Sequence, residues 1–177
     1  VITEVGVLDD ILSAHARSLG DDFVAYRNHV YRVVNLCVRL HSVSGDELRR
    51  LAIAAAFHDL GIWTAGTFDY LRPSMALAKA YLIRSGQPAW VTEVNAIILE
   101  HHKILPYRGL AQPLVEIFRK ADWIDVTRGL LTFGIPRRIA AELYVAWPSA
   151  GFHRRLVQLA ARRFRSNPWT PLPMVRL

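Results

Sequence analysis

The chain has 177 residues, 52% hydrophobic and 21% charged, the length and balance of one globular domain and not of a disordered chain. No apolar run approaches the roughly 18 residues needed to span a bilayer, and a single cysteine, Cys37, excludes an internal disulfide framework and fits a reducing cytoplasm. The net charge of +7 is uneven: residues 1–125 carry thirteen basic and fourteen acidic side chains, whereas residues 126–177 carry nine Arg and one acid, Glu142.

Helical signals dominate, and no segment alternates as a strand would. A first helix is expected from Leu8 to Leu19, stopped by Gly20. Asp21 or Asp22 caps the next, "FVAYRNHVYRVVNLCVRL", in which Phe23, Tyr26, Val30, Val33, Val34 and Cys37 recur at near-helical spacing. Ser44 to Glu47 reads as a capping box for a helix that ends at His58-Asp59, with Gly61 as its stop. After the loop "WTAGTFDYLRPS", Pro73 and Ser74 open "MALAKAYLIRSG", closed by Gly86. Pro88 suits the first turn of "AWVTEVNAIILEHHK", and Pro113 that of "LVEIFRKADWIDVTRGL". Pro136 begins "RRIAAELYVAW", "GFHRRLVQLAARRFR" makes the last helix, and the Pro-rich tail "SNPWTPLPMVRL" is expected to be extended. The reading is one all-α domain over residues 1–177, a helical bundle of seven or eight helices. Its motif core lies at about 22–130, and its basic helices and Pro-rich tail at 136–177.

Seven possible metal ligands fall on four of these helices: His29, His58, Asp59, His101, His102, Asp122 and Asp125. Facing helices of a bundle can project such side chains to one point, and imidazole with carboxylate suits a divalent transition ion. An open position on that ion would lower the pKa of bound water. Taken singly, His29 could be a satisfied core histidine and Asp59 a helix cap. A carboxylate buried without a charge partner is costly, however. Asp122 and Asp125 share one helix face. His101 and His102 are adjacent, so on a straight helix, turning about 100° per residue, one should face inward and the other outward.

The set His29, His58-Asp59 and Asp122 resembles the H…HD…D signature of the HD-domain superfamily of metal-dependent phosphohydrolases, most plainly in "AAAFHDLGI" and "RKADWID". A His stands 29 residues before the doublet and an Ala-Asp 63 residues after it. The resemblance implies an all-α fold with His29, His58, Asp59 and Asp122 ligating a divalent ion (Mn, Fe, Co, Zn or Ni). The family's final Asp follows a small residue, which selects Asp122 over Asp125. The implied activity is hydrolysis of a small phosphoester or nucleotide by metal-activated water. Asp59, Asp69, His101 and His102 are the catalytic candidates it implies. An extra His here binds a second metal or the substrate phosphate in such proteins, but two-metal members carry two separated histidines, so the adjacent pair favours one ion. Asp69 matches a working acid of the nucleotidase subgroup, while Leu60 to Trp63 lack the acids that alarmone hydrolases and deoxynucleotidases place there. "TFDYL" resembles the corresponding loop of the cyanamide-hydratase-like branch, implying hydration or hydrolysis of a C–N bond as the alternative chemistry.

Lys103, Arg108 and Arg128 lie near ligand-bearing segments and are expected to receive phosphate oxygens. Trp63, Tyr70 and Tyr107 could stack on a base, although aromatics near loops more often pack. A small anionic substrate is the expected partner, with no membrane. The Arg-rich final third leaves room for a different class of protein, a non-catalytic scaffold binding anions or nucleic acid, less favoured because the ligand set is intact. A homodimer is the oligomer left open. If the last helix packs as an amphipathic element, Leu156, Leu159, Ala160 and Phe164 face inward.

Overall fold

The computed structural model describes residues 1–170 and 172–176; Pro171 and Leu177 of the expected extended tail lie outside the described residues. Ser44 starts the central helix as expected: its Oγ accepts from the Glu47 amide at 3.2 Å while the Glu47 carboxylate accepts from the Ser44 amide at 2.7 Å. The helix that follows, α4 (Gly45–Phe57), is buried throughout from Leu51 to Phe57. The small side chains of Ala52, Ala54, Ala55 and Ala56 let neighbours approach closely, and α4 is packed by α1 (Gly6–Ala14), α3 (Phe23–Leu40), α6 (Leu71–Arg84), α7 (Val91–Glu100) and α8 (Gln112–Val126). Helix α3 lies between α4 and α8, and Tyr26, Val30, Val33, Val34 and Cys37 on it are fully buried. Each such apolar side chain contributes about 1.5–3 kcal/mol on leaving water.

The described residues are all-helical apart from loops and one isolated bridge, with eight helices of nine or more residues. The remaining longer ones are α9 (Arg137–Ala146) and α10 (Phe152–Ser166), and two single turns, α2 (Ala16–Leu19) and α5 (Gly61–Thr64), complete the set. None of the described helices is long and apolar enough to cross a membrane.

Four local readings change. The expected Leu8–Leu19 helix is broken at His15, whose ψ of 9° leaves the helical region between α1 and α2. Gly61 does not act as a left-handed stop; it opens α5, and a Cβ there would lie 2.5 Å from the Tyr70 carbonyl oxygen and 2.9 Å from Ser74 Oγ. The glycine is therefore required by the close approach of the α6 N-terminus. That helix starts at Leu71, two residues before Pro73, because a first-turn proline surrenders an amide that has no intrahelical acceptor. The tail is not extended over its described part. Turns at Asn167–Thr170 and Leu172–Val175 fold it back, burying Met174 beside Ile62, Tyr70 and Leu71.

Candidate metal centre

Helix α3 carries His29, α8 carries Asp122, and His58-Asp59 and His101-His102 stand just past the ends of α4 and α7. The α4 end is set by Tyr26, whose hydroxyl donates to the Ala56 carbonyl at 3.1 Å and accepts from the Asp59 amide at 3.3 Å. The chain turns there, so His58 and Asp59 both face inward although adjacent. The same happens after α7. Because the helix ends at Glu100, His101 and His102 occupy a turn and both reach the centre, contrary to the expectation of one in and one out. Arg119, paired in two hydrogen bonds with Glu116, and the Trp123 indole both donate to the Lys103 carbonyl and hold that turn.

The imidazole tautomers follow from the hydrogen bonds. His58 Nδ1 lies 2.7 Å from the Ala55 carbonyl and His101 Nδ1 lies 2.7 Å from the Ile98 carbonyl, so each must donate there. His29 Nδ1 lies 2.7 Å from Asp125 Oδ2, and Arg32 grips the same carboxylate at 2.6 and 2.9 Å. Burial alone would raise the Asp125 pKa, but the His29 hydrogen bond and the Arg32 charge outweigh it and keep the group ionised. Burial pushes the His29 pKa down to about 4 against the attraction of Asp125, so this ring is neutral near pH 7. With Nδ1 committed, Nε2 is the atom each ring has left to offer a ligand.

Those three nitrogens turn to one region. His29 and His58 Nε2 are 3.0 Å apart, and Asp122 Oδ1 lies 3.5 and 3.8 Å from them. Asp59 Oδ2 is 3.9 Å from His29 Nε2 and 3.3 Å from His58 Nε2. Its other oxygen faces His101 Nε2 at 3.5 Å, and Asp122 Oδ2 faces His102 Nδ1 at 3.4 Å. Asp59 Oδ1, His101 Nε2 and both Asp122 oxygens are buried without a hydrogen-bond partner. Orphans of this kind are rare and each costs about 1–3 kcal/mol. His29 Nε2 and His58 Nε2 stand only 3.0 Å apart, two ligand atoms turned to the same point. The donor set therefore fits a transition ion. His29, His58 and Asp59 form one group whose donors lie within 4.8 Å of one another, and Asp59, His101 and His102 form another. Asp59 is common to both, which offers a second position that the adjacency of the two histidines did not foretell.

The carboxylates are unequal without an ion. Burial would raise both, yet the His58 and His101 rings draw Asp59 well below its ordinary value. Asp122 is driven well above its own by burial and by the charges of Asp59 and Asp125, against the pull of His101. His102 is pushed far down by burial and by His101, and its Nε2 lies 2.9 Å from the Tyr70 hydroxyl. Tyr70, raised by burial and by Asp59, stays a protonated donor.

Other expected residues lie elsewhere. Asp69 is exposed, whereas its neighbours Phe68 and Tyr70 line the cavity. Lys103, Arg108 and Arg128 do not line the cavity above the centre. Lys103 is half-buried and its backbone pairs with Arg176, Arg108 is exposed, and Arg128 lies over the Tyr144 ring at 5.7 Å. Trp63 packs on Tyr26 and donates to Asp22, and the Tyr107 amide donates to Glu116. Of the last helix, Phe164 is 58% exposed rather than inward. Two supports escaped the sequence reading. Arg32 stands one turn from His29, as Asp125 stands one turn from Asp122, and that repeated spacing of three was the available signal. Phe152, stacked on His29 with centroids 4.0 Å apart, had none.

An HD domain family model matches residues 26–127, more than half of the chain. No curated protein and no solved structure matches it significantly. With its four motif residues gathered at one buried point on a helical frame, the chain belongs to the HD domain family.

Proposed function

We propose that this chain is a metal-dependent phosphohydrolase acting on a small phosphoester, with His29, His58, Asp59 and Asp122 holding the ion and His101 and His102 beside it. The observation that carries this reading is a buried His/Asp cluster around one point in which Asp59 Oδ1, His101 Nε2 and both Asp122 oxygens have no hydrogen-bond partner. A divalent transition ion there would polarise a substrate oxygen and make water acidic enough to ionise near neutral pH. The protein's part is orientation and proton handling. Asp125, pinned by Arg32, fixes the His29 ring; the Ala55 and Ile98 carbonyls fix His58 and His101. The Tyr70 hydroxyl and His102 Nε2 share a hydrogen bond, and both residues line the cavity, where the pair is placed to exchange a proton with a leaving group.

The test is direct. Protein loaded with manganese should release phosphate from small phosphomonoesters, and His58→Ala and Asp59→Ala should lose both bound metal and activity while staying helical. Retention of metal and activity in both variants overturns the reading. A second chemistry, hydration or hydrolysis of a C–N bond, draws support from the lack of any Lys or Arg among the cavity's lining residues. Ammonia or urea release without phosphate release from the same protein decides for it.

A further inference from the structure

The cavity above the centre has a volume of about 250 Å³, at the small end for ligand sites. Its floor is the metal centre itself, through Asp59 and His102. One wall is aromatic, made by Phe68, Tyr70 and Trp123. The rest of the lining is aliphatic and includes Leu156, Val157 and Ala160 of α10 and Met174 of the tail. No lining side chain among the described residues is a Lys or Arg, and the polar atoms present belong to the floor and to Tyr70. A nucleotide would bring a second charged or strongly polar portion into this space, and burying it without partners costs several kcal/mol. An apolar group gains about 25 cal/mol per Å² buried against the same walls.

The aliphatic wall also has a distinct origin. The family match ends at residue 127, whereas α10 and the tail begin beyond it. The tail is pinned against the catalytic turn. The Ile104 amide donates to the Arg176 carbonyl at 2.8 Å, and the Arg176 guanidinium reaches Glu100 at 2.8 Å. This holds Met174, 5% exposed, over the cavity.

We infer that this cavity is a substrate subsite for an uncharged apolar group, such as a single aromatic ring or a short branched chain, joined directly or through one ester oxygen to the centre attacked by water. The inference rests on the reading of the metal centre as hydrolytic and sets its specificity: simple aryl or branched-alkyl substrates and not nucleotides. Recognition is by apolar enclosure, and the charged end of the substrate is left to the metal centre.

Two matched pairs of probes separate the subsite from the chemistry. Phenylphosphonate against methylphosphonate, and benzamide against acetamide, are titrated calorimetrically into the manganese-loaded full chain. The phenyl member of each pair is expected to bind about tenfold tighter or more, the effect of burying one ring. Ala160→Phe fills the cavity from α10 and should erase that preference. Val157→Phe adds bulk at a residue 68% exposed, and so tests the same point with little risk to folding. Equal binding within both pairs, or a phenyl preference that neither variant reduces, overturns the inference. Phosphate release is scored separately with phenyl phosphate and adenosine monophosphate. Phenyl preference without any phosphate release removes the phosphoester reading and leaves the subsite standing. Phosphate release from both esters at equal kcat/KM, with no phenyl preference in binding, removes the subsite and leaves the phosphoester reading.

Discussion

His29, His58 and His101 each give Nδ1–H to a fixed acceptor, two of them to the carbonyl three residues back. The third acceptor is the unusual one, because Asp125 is itself held by a fully buried Arg32. Arg32 in turn donates to the Trp147 carbonyl at 2.8 Å, so one guanidinium joins the ligand set to the loop before α10. Asp125→Asn keeps a carbonyl oxygen for His29 but strips Arg32 of its counter-charge. Unfolding stability should fall by about 3–5 kcal/mol and metal affinity by about 10–100-fold, read by urea denaturation and by metal titration. Adding Arg32→Met to that variant should restore part of the stability and none of the affinity. A double variant with wild-type affinity would show that the His29 hydrogen bond does not tune the ligand. The motif residues stood out because their types and spacing are unusual together. Arg32 did not, since an arginine next to a tyrosine on a helix looks like a surface residue until its partner is placed.

At the scale of elements, the capping box of α4 was legible because its chemistry is local: two side chains and two amides within four residues. The expectation of one inward ring at His101-His102 rests on a straight helix running through them, and whether a helix stops is a tertiary matter. Tyr26 decides it after α4. Gly61 shows the same limit. Sequence alone offers a glycine after a helix as a stop, but here the backbone of Tyr70 occupies the space a side chain would need. Gly61→Ala must displace the start of α6 and should cost about 1–3 kcal/mol, the usual range for overpacking. For a chain of this length that lowers Tm by roughly 2–4 °C per kcal/mol. Gly45→Ala is the matched control, since its Cβ would meet nothing within 4 Å; it should leave Tm unchanged or slightly raised. Equal Tm values for the two variants would contradict the crowding at Gly61. Because Asp59 lies two residues before Gly61, the Gly61 variant should also bind metal more weakly, which the control should not.

Across the whole molecule, the basic composition of the final third left open a surface for anions, yet several of its charges are engaged internally. Arg155 pairs with Asp22 at 2.9 Å, Arg176 with Glu100, and Arg163 donates to the Thr170 carbonyl. Composition reports that arginines are present but not whom they meet. The structural work of this region is to finish the centre: Phe152 covers His29, the Trp147 carbonyl receives Arg32, and Met174 closes the cavity. Met174 is the most economical place to test that arrangement. It belongs to a small cluster with Ile62, Tyr70 and Leu71, apart from the main core, so its loss should loosen the tail without unfolding the bundle. Met174→Ala removes about three buried heavy atoms, and a core truncation of this kind costs about 2–5 kcal/mol where the site cannot relax. At a chain end that can relax, the cost should appear as local opening. The expected result is a Tm close to that of the parent, faster tryptic cleavage after Arg163 and Arg165, unchanged metal content, and a phenyl-to-methyl binding ratio reduced several-fold. A ratio that stays at the parent value while the tail is cleaved faster would mean that the aromatic wall of Phe68, Tyr70 and Trp123 suffices for recognition, and that the tail serves only to cover it.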